Sequence, residues 1–205
     1  MLFDFGFEPD LWYEVILTTY CEDRRPHAAP MGCSTSDGQL LRLKPFTNTT
    51  TFKNLKDRRY AVANISHDPA LFYNALFKND LDFVNAQQVD APALRGCDGW
   101  VELEITRLTQ IDEMRAEASG KVVNIVTFST SLKPYSRAEH ALVEALIHFT
   151  RVVVFANTTR HDEAVRLAEK IREYIELTKR VSRKPAHMTI CEKLLCSLEE
   201  VMGGK

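Results

Sequence analysis

The run Lys44-Pro45-Phe46 leads into a threonine cluster, Thr49-Thr50-Thr51, that opens a helix. The first turn of a helix carries N–H groups without intrahelical acceptors and a partial positive charge. Three hydroxyls stand in that turn. Lys44 lies at the end of the incoming strand as a full charge, and the Asn54 amide sits one turn in, able to bond back to the loop or to a ligand. Such a set of groups can hold a phosphate; the same threonines also serve as ordinary helix caps. The small-residue run Ala28-Ala29-Pro30-Met31-Gly32 lies just before it in sequence. Together the two segments suggest a ligand with a phosphate at one end and a flat ring at the other.

These groups need elements to position them. Tyr13 to Tyr20 is rich in β-branched and aromatic residues and reads as a strand, as does His27 to Ser34. Ser36-Asp37-Gly38 is a hairpin turn signal, and Gln39 to Lys44 alternates as a third strand. Asn48 or Thr49 caps a helix to about Lys56, Tyr60 to Ile65 is a fourth strand, and Asp68-Pro69 starts a second helix. Leu71, Phe72, Ala75 and Leu76 share one face of that helix. Asp80 to Asp98 reads as a long connection. Trp100 to Leu108 is a strand, Glu117 to Lys121 a turn, and Val122 to Ser131 the last strand. The first 12 residues read as a loose arm or short edge. After Lys133-Pro134 strand signals nearly vanish, and Ser136 to Phe155, His161 to Val181 and Met188 to Met202 read as helices. Most strand links are too short for crossover helices, so the expected fold is a mainly antiparallel sheet. Six strands with closed edges make a small barrel. The organisation predicted is a barrel over 1–135 and a helical region over 136–205.

Composition bounds the partners. The 205 residues can bury a sizeable core, and 45% hydrophobic with 26% charged content is ordinary for a globular chain. A formal net charge of −2 argues against general nucleic-acid binding. No run approaches the roughly 20 apolar residues of a membrane-spanning helix, and Met1-Leu2-Phe3-Asp4 lacks the basic start of a signal peptide. Cys21, Cys33, Cys97, Cys191 and Cys196 form no C-x-x-C pair and read as reduced thiols of a cytoplasmic protein.

Three pieces in order carry a family likeness: His27-Ala28-Ala29-Pro30-Met31-Gly32, the T-x-x-N-L run Thr51-Phe52-Lys53-Asn54-Leu55, and Tyr60-Ala61-Val62-Ala63-Asn64-Ile65. The stretch resembles the FMN-binding split barrel of the flavin reductase and pyridoxamine-phosphate oxidase superfamily. Within it the chain is most similar to archaeal proteins of a family of formerly unknown function that join the barrel to C-terminal helices. The resemblance implies an antiparallel six-stranded split barrel with FMN as cofactor. It places Ala29, Met31 and Gly32 beside the isoalloxazine ring. It places Lys44, Thr47, Thr49, Thr50 and Thr51 at the ribityl phosphate, with Asn54 in the matching T-x-x-N. It also implies a homodimer with FMN near the interface, part of the pocket coming from the second subunit. The basic residue set of pyridoxamine-phosphate oxidases is not matched, so pyridoxal chemistry is disfavoured. No nicotinamide fingerprint is present, and the reductant, a nicotinamide or a deazaflavin, stays open. If FMN binds, the chemistry belongs to the flavin and no catalytic side chain is demanded. The expected function is a flavin-dependent oxidoreductase of flavin reductase type; the alternative is a non-catalytic flavin- or ligand-binding dimer whose helical tail mediates association.

Other constellations compete. His140, Glu144 and His148 share a helix face at i, i+4 and i+8, a spacing open to a metal and more often solvated. Cys33 stands next to the small-residue run and reads first as a strand residue. Cys191 and Cys196 are badly spaced for joint ligation. Lys179-Arg180-Val181-Ser182-Arg183-Lys184 reads first as a helix end, where cations meet the negative end of the dipole.

Overall fold

Runs rich in apolar and small residues build the strands in turn: β1 (Tyr13–Tyr20), β2 (Pro26–Ser34) and β3 (Leu40–Leu43). Helix α1 (Thr50–Arg58) follows, then β4 (Tyr60–Ile65) and α2 (Pro69–Phe77). A small hairpin of β5 (Phe83–Asn85) and β6 (Pro92–Leu94) precedes the two long strands β7 (Gly99–Gln110) and β8 (Ala116–Thr127). This computed structural model describes residues 1–128 and 133–203. It divides into two compact units, one of Met1–Pro9 with Tyr13–Tyr135, the other of Asp10–Trp12 with Ser136–Lys205.

In the first unit the hydrogen-bonded order β2-β3-β8-β7-β4-β1 closes on itself, because β1 also pairs with β2. The result is a closed six-stranded antiparallel barrel. Its wall buries Leu17, Leu41, Leu43, Ala61, Ala63 and Leu103. A further two-residue strand, β9 (Tyr135–Ser136), stands where this unit ends. Two layers cover the outside of the barrel. Helix α2 packs Ala75, with Leu71 and Phe72, on Ile16 and Ala28, while the β5–β6 hairpin sets Ala91 and Ala93 against Val62 and Trp100. Buried Asn64 fastens that hairpin: its Nδ2 donates to Ile16 O (2.8 Å) and Thr18 Oγ1 (2.9 Å), and its Oδ1 accepts from Leu94 N (2.7 Å). Buried Glu102 accepts from the Gln87 and Gln88 amides at 2.8 and 2.6 Å and from Trp100 Nε1 at 3.1 Å.

Three sequence expectations change. The turn between the long strands lies at Ile111–Arg115, where Asp112 Oδ1 accepts from the Met114 and Arg115 amides at 2.8 Å each. Residues 117–121, expected as a turn, belong to β8. Gly120 is there because a Cβ would sit 3.2 Å from Leu103 Cβ, so the glycine marks close packing rather than a bend. The N-terminal arm is ordered: Leu2–Phe5 is a 3-10 turn, Leu2 and Phe7 are buried, and Leu2 N donates to Gly38 O at 2.9 Å. The Asp80–Asp98 connection holds the β5–β6 hairpin. The expected last strand extends to Ser131, and its residues 129–131 lie outside the described residues.

The second unit is helical: α3 (Arg137–Phe155), α4 (His161–Val181) and α5 (Pro185–Gly203). Ser136 Oγ caps α3 through Glu139 N. Alanines 145, 156, 164 and 168 let α3 and α4 approach closely around Ile171, Ile175 and Leu198. The α4–α5 link is tied by Ser182 Oγ and His187 Nδ1 at 2.9 Å, and the short segment at Leu11 bridges Ser182. Among the described residues no helix is long and apolar enough to cross a membrane.

Candidate functional site

Strand β2 pairs with the whole length of β1, from Tyr13↔Cys33 to Tyr20↔Pro26, yet with β3 only at Cys33 and Ser34. The other edge of residues 26–32 therefore faces a groove rather than a strand. The groove has a volume of about 610 Å³, within the range of small-molecule sites. Strand β2 lines it with His27, Ala29, Pro30, Met31 and Gly32, the segment from β3 into α1 with Lys44, Phe46, Asn48 and Thr49–Thr51, α2 and its C-cap with Leu76 and Lys78, and β1 with Glu14.

The geometry sorts the residues singled out from sequence. Ala29, Met31, Gly32, Lys44, Thr49, Thr50 and Thr51 come together in this groove. Thr49 is the α1 N-cap: its Oγ1 accepts from Phe52 N (3.3 Å) and donates to Phe46 O (2.7 Å). Thr50 is exposed in the first turn, while Thr51 is only 2% exposed and its hydroxyl lies 3.1 Å from His27 Nε2. Thr47 and Asn54 do not line the groove. Thr47 Oγ1 donates to Glu113 O (2.7 Å) and its amide to Met114 O (3.0 Å), fastening the loop to the β7–β8 turn. Asn54 is buried, and its Nδ2 donates to Thr19 Oγ1 at 2.9 Å, fixing α1 to the barrel wall.

Three ionisable groove residues are not among the site residues expected from sequence: His27, Lys78 and Glu14. Strand alternation could have found His27, which shares a face of β2 with Ala29 and Met31. Its imidazole is held neutral, with its pKa lowered to about 4 by burial and by the nearby Lys78 ammonium. Lys78 is the C-cap of α2, at φ 58°. Its Nζ donates to the carbonyls of Ala28 and Ala75, and burial lowers its pKa. Nothing local in the sequence marks it, because it reaches the groove only when α2 lies across β2. Glu14 lies opposite Gly32 in the β1–β2 register.

The competing constellations are placed elsewhere. Among the described residues no group of three His, Cys, Asp or Glu side chains could hold a metal. His140 Nδ1 lies 2.7 Å from Ser136 O, and the His148 ring packs edge-on to Tyr174. Cys33 is fully buried, which pushes its thiol pKa up and opposes thiolate chemistry.

Residues 13–127 match the N-terminal domain, and residues 136–195 the remaining part, of a family described as protein of unknown function DUF447. The chain belongs to the DUF447 family. A relative in that range of likeness is the uncharacterized protein MJ1453 of Methanocaldococcus jannaschii, 23% identical over 194 residues, 90% of this chain and 97% of that one. Among solved structures, the FMN-bound DUF447 protein MM1853 from Methanosarcina mazei superposes with a TM-score of 0.54 at 23% identity, covering 97% of this chain and all of that one. Nitrilotriacetate monooxygenase component B from Bacillus cereus superposes with a TM-score of 0.52 at 15% identity, over 67% of this chain and 80% of that one. These likenesses agree with the barrel fold of this DUF447 chain.

Proposed function

We propose that this protein binds FMN in the β2 groove and acts as a flavin-dependent oxidoreductase of flavin reductase type. The observation that carries the reading is the convergence in one groove of a small-residue strand edge, a hydroxyl-rich helix N-terminus and two lysines. The fold is the one in which MM1853 is FMN-bound. The residues fit the group. Ala29 and Gly32 leave room for a flat ring against the strand, and Met31 is a polarizable contact for it. The first turn of α1 offers amides and the hydroxyls of Thr50 and Thr51 to a phosphate. When bound, FMN would supply hydride chemistry at its ring, so the protein's own contribution is binding, ring polarity and exclusion of water.

The proposal includes a homodimer. Tyr73, Leu76 and Phe77 share one exposed face of α2, with Leu76 and Phe77 each 59% exposed, and Leu76 lines the groove. A second copy over this apolar shoulder would complete the wall of the groove and keep water out. The experiment is anaerobic mixing of the FMN-loaded protein with NADH, NADPH or a reduced deazaflavin, with sedimentation run alongside. Loss of the yellow absorbance with one of these donors, in a species of twice the chain mass, is expected. Unchanged absorbance with all three contradicts the oxidoreductase assignment, and a monomer contradicts the dimer.

A further inference from the structure

We propose that Lys78, with Thr51, builds the phosphate end of the groove and that Lys44 serves the ring end, so that Lys78 makes the site distinguish FMN from riboflavin. The inference rests on the FMN reading above and adds the direction in which the cofactor lies.

Strand register gives the direction. Leu43 pairs with Cys33, so the chain leaves β3 at the Gly32 end of the groove, and Lys44 is its first residue there; Glu14 lies opposite Gly32 in the β1–β2 register. At the far end His27 Nε2 meets Thr51 Oγ1 at 3.1 Å, and Thr51 is in the first turn of α1. His27 and Gly32 are five residues apart on a strand without a register shift, about 16 Å at the usual rise. That span is longer than a lysine side chain and comparable with an extended flavin mononucleotide. A phosphate seated on the Thr50 and Thr51 amides is therefore at the His27 end, away from Lys44.

The cation at that end is Lys78. Its Nζ donates to the carbonyl of Ala28, the neighbour of His27, and to Ala75 O. An ordinary helix-end lysine accounts for the Ala75 contact but not for the bond across to β2, which draws the ammonium over the strand edge. Both partners are neutral carbonyls, so neither cancels the charge. An ammonium has three donors, and the third is left for a ligand. The neutral His27 imidazole can pass a hydrogen bond through the Thr51 hydroxyl to the same anion. Lys44 and Glu14 both line the opposite end; the ammonium favours the reduced, more negative ring and the carboxylate opposes it, so loss of the lysine charge leaves the carboxylate to disfavour reduction.

The test is fluorescence titration of FMN and of riboflavin against wild type, Lys78→Gln, Lys78→Arg and Lys44→Gln at one ionic strength, with the midpoint potential of the bound flavin measured for each. Lys78→Gln is expected to lose about 10- to 100-fold in FMN affinity, with riboflavin changed little and the potential unmoved. Lys78→Arg keeps the preference for FMN. Lys44→Gln weakens both flavins by the same factor and lowers the potential. An FMN preference abolished by Lys44→Gln, or retained in Lys78→Gln, overturns the proposed direction. Should Lys78→Gln fail to fold, the Lys44→Gln ratio and potential decide alone. Wild type that binds neither flavin overturns the FMN reading itself, and so is distinct from a failure of the direction.

Discussion

His27 couples the groove to pH. Its imidazole is held near a pKa of about 4 by burial and by the Lys78 ammonium, against an ordinary value of 6.5. The unfolded chain therefore binds the proton more readily than the folded one. Stability is full above pH 6.5, declines as the pH falls towards 4, and loses nothing more from this group below that. The total is at most roughly 3 kcal/mol before relaxation and solvent screening. Thermal unfolding of wild type and His27→Asn from pH 7.5 to 4 is expected to show a shallower decline in the variant. Parallel curves would mean that the ring is accessible to protons in the folded state. The same residue marks the limit of local sequence signals. Thr49, Thr50, Thr51 and Lys44 announce themselves as a local string, whereas His27, Glu14 and Lys78 belong to the groove only through strand pairing and the crossing of α2.

Elements hold that groove in shape, and their fixings are buried polar side chains. Asn64 is 0% exposed and uses both ends of its amide, gripping β1 through Ile16 O and Thr18 Oγ1 and β6 through Leu94 N. Asn64→Ala strands a buried amide and carbonyl, and each such loss costs about 1–3 kcal/mol. A fall of roughly 2–4 kcal/mol in denaturant unfolding is expected, and less than 0.5 kcal/mol would show that water or backbone takes over the bonds. Most strands and helices were legible because apolar alternation and caps are local: Thr49 caps α1 and Asp68 caps α2 as their sequence positions suggest. The misplaced turn at 117–121 has the opposite origin. Gly120 resembles a turn residue in isolation, and only the side chain of Leu103 on the neighbouring strand reveals that it is a packing glycine. The β5–β6 hairpin leaves no local sequence signal for a related reason. Its strands are three residues each and depend on Asn64 and Glu102 for their anchorage.

At the scale of the molecule, the barrel closes between β2 and β3 through two paired residues, and α1 and α2 border the remaining stretch of β2 as a groove. The barrel was readable from strand number and short links; the groove was not, since it exists only where β3 leaves β2 after two paired residues. Beside it Tyr73, Leu76 and Phe77 leave an exposed apolar shoulder on α2. The central claim is that the groove takes FMN with its phosphate on the threonine turn. The most direct measurement is flavin fluorescence on titration of FMN and riboflavin against wild type and Thr51→Ala. Quenching by wild type, tighter for FMN, with an FMN-selective loss of about 10-fold or more in Thr51→Ala, is the predicted result. Unquenched fluorescence with wild type, or equal losses for both flavins in the variant, would contradict it.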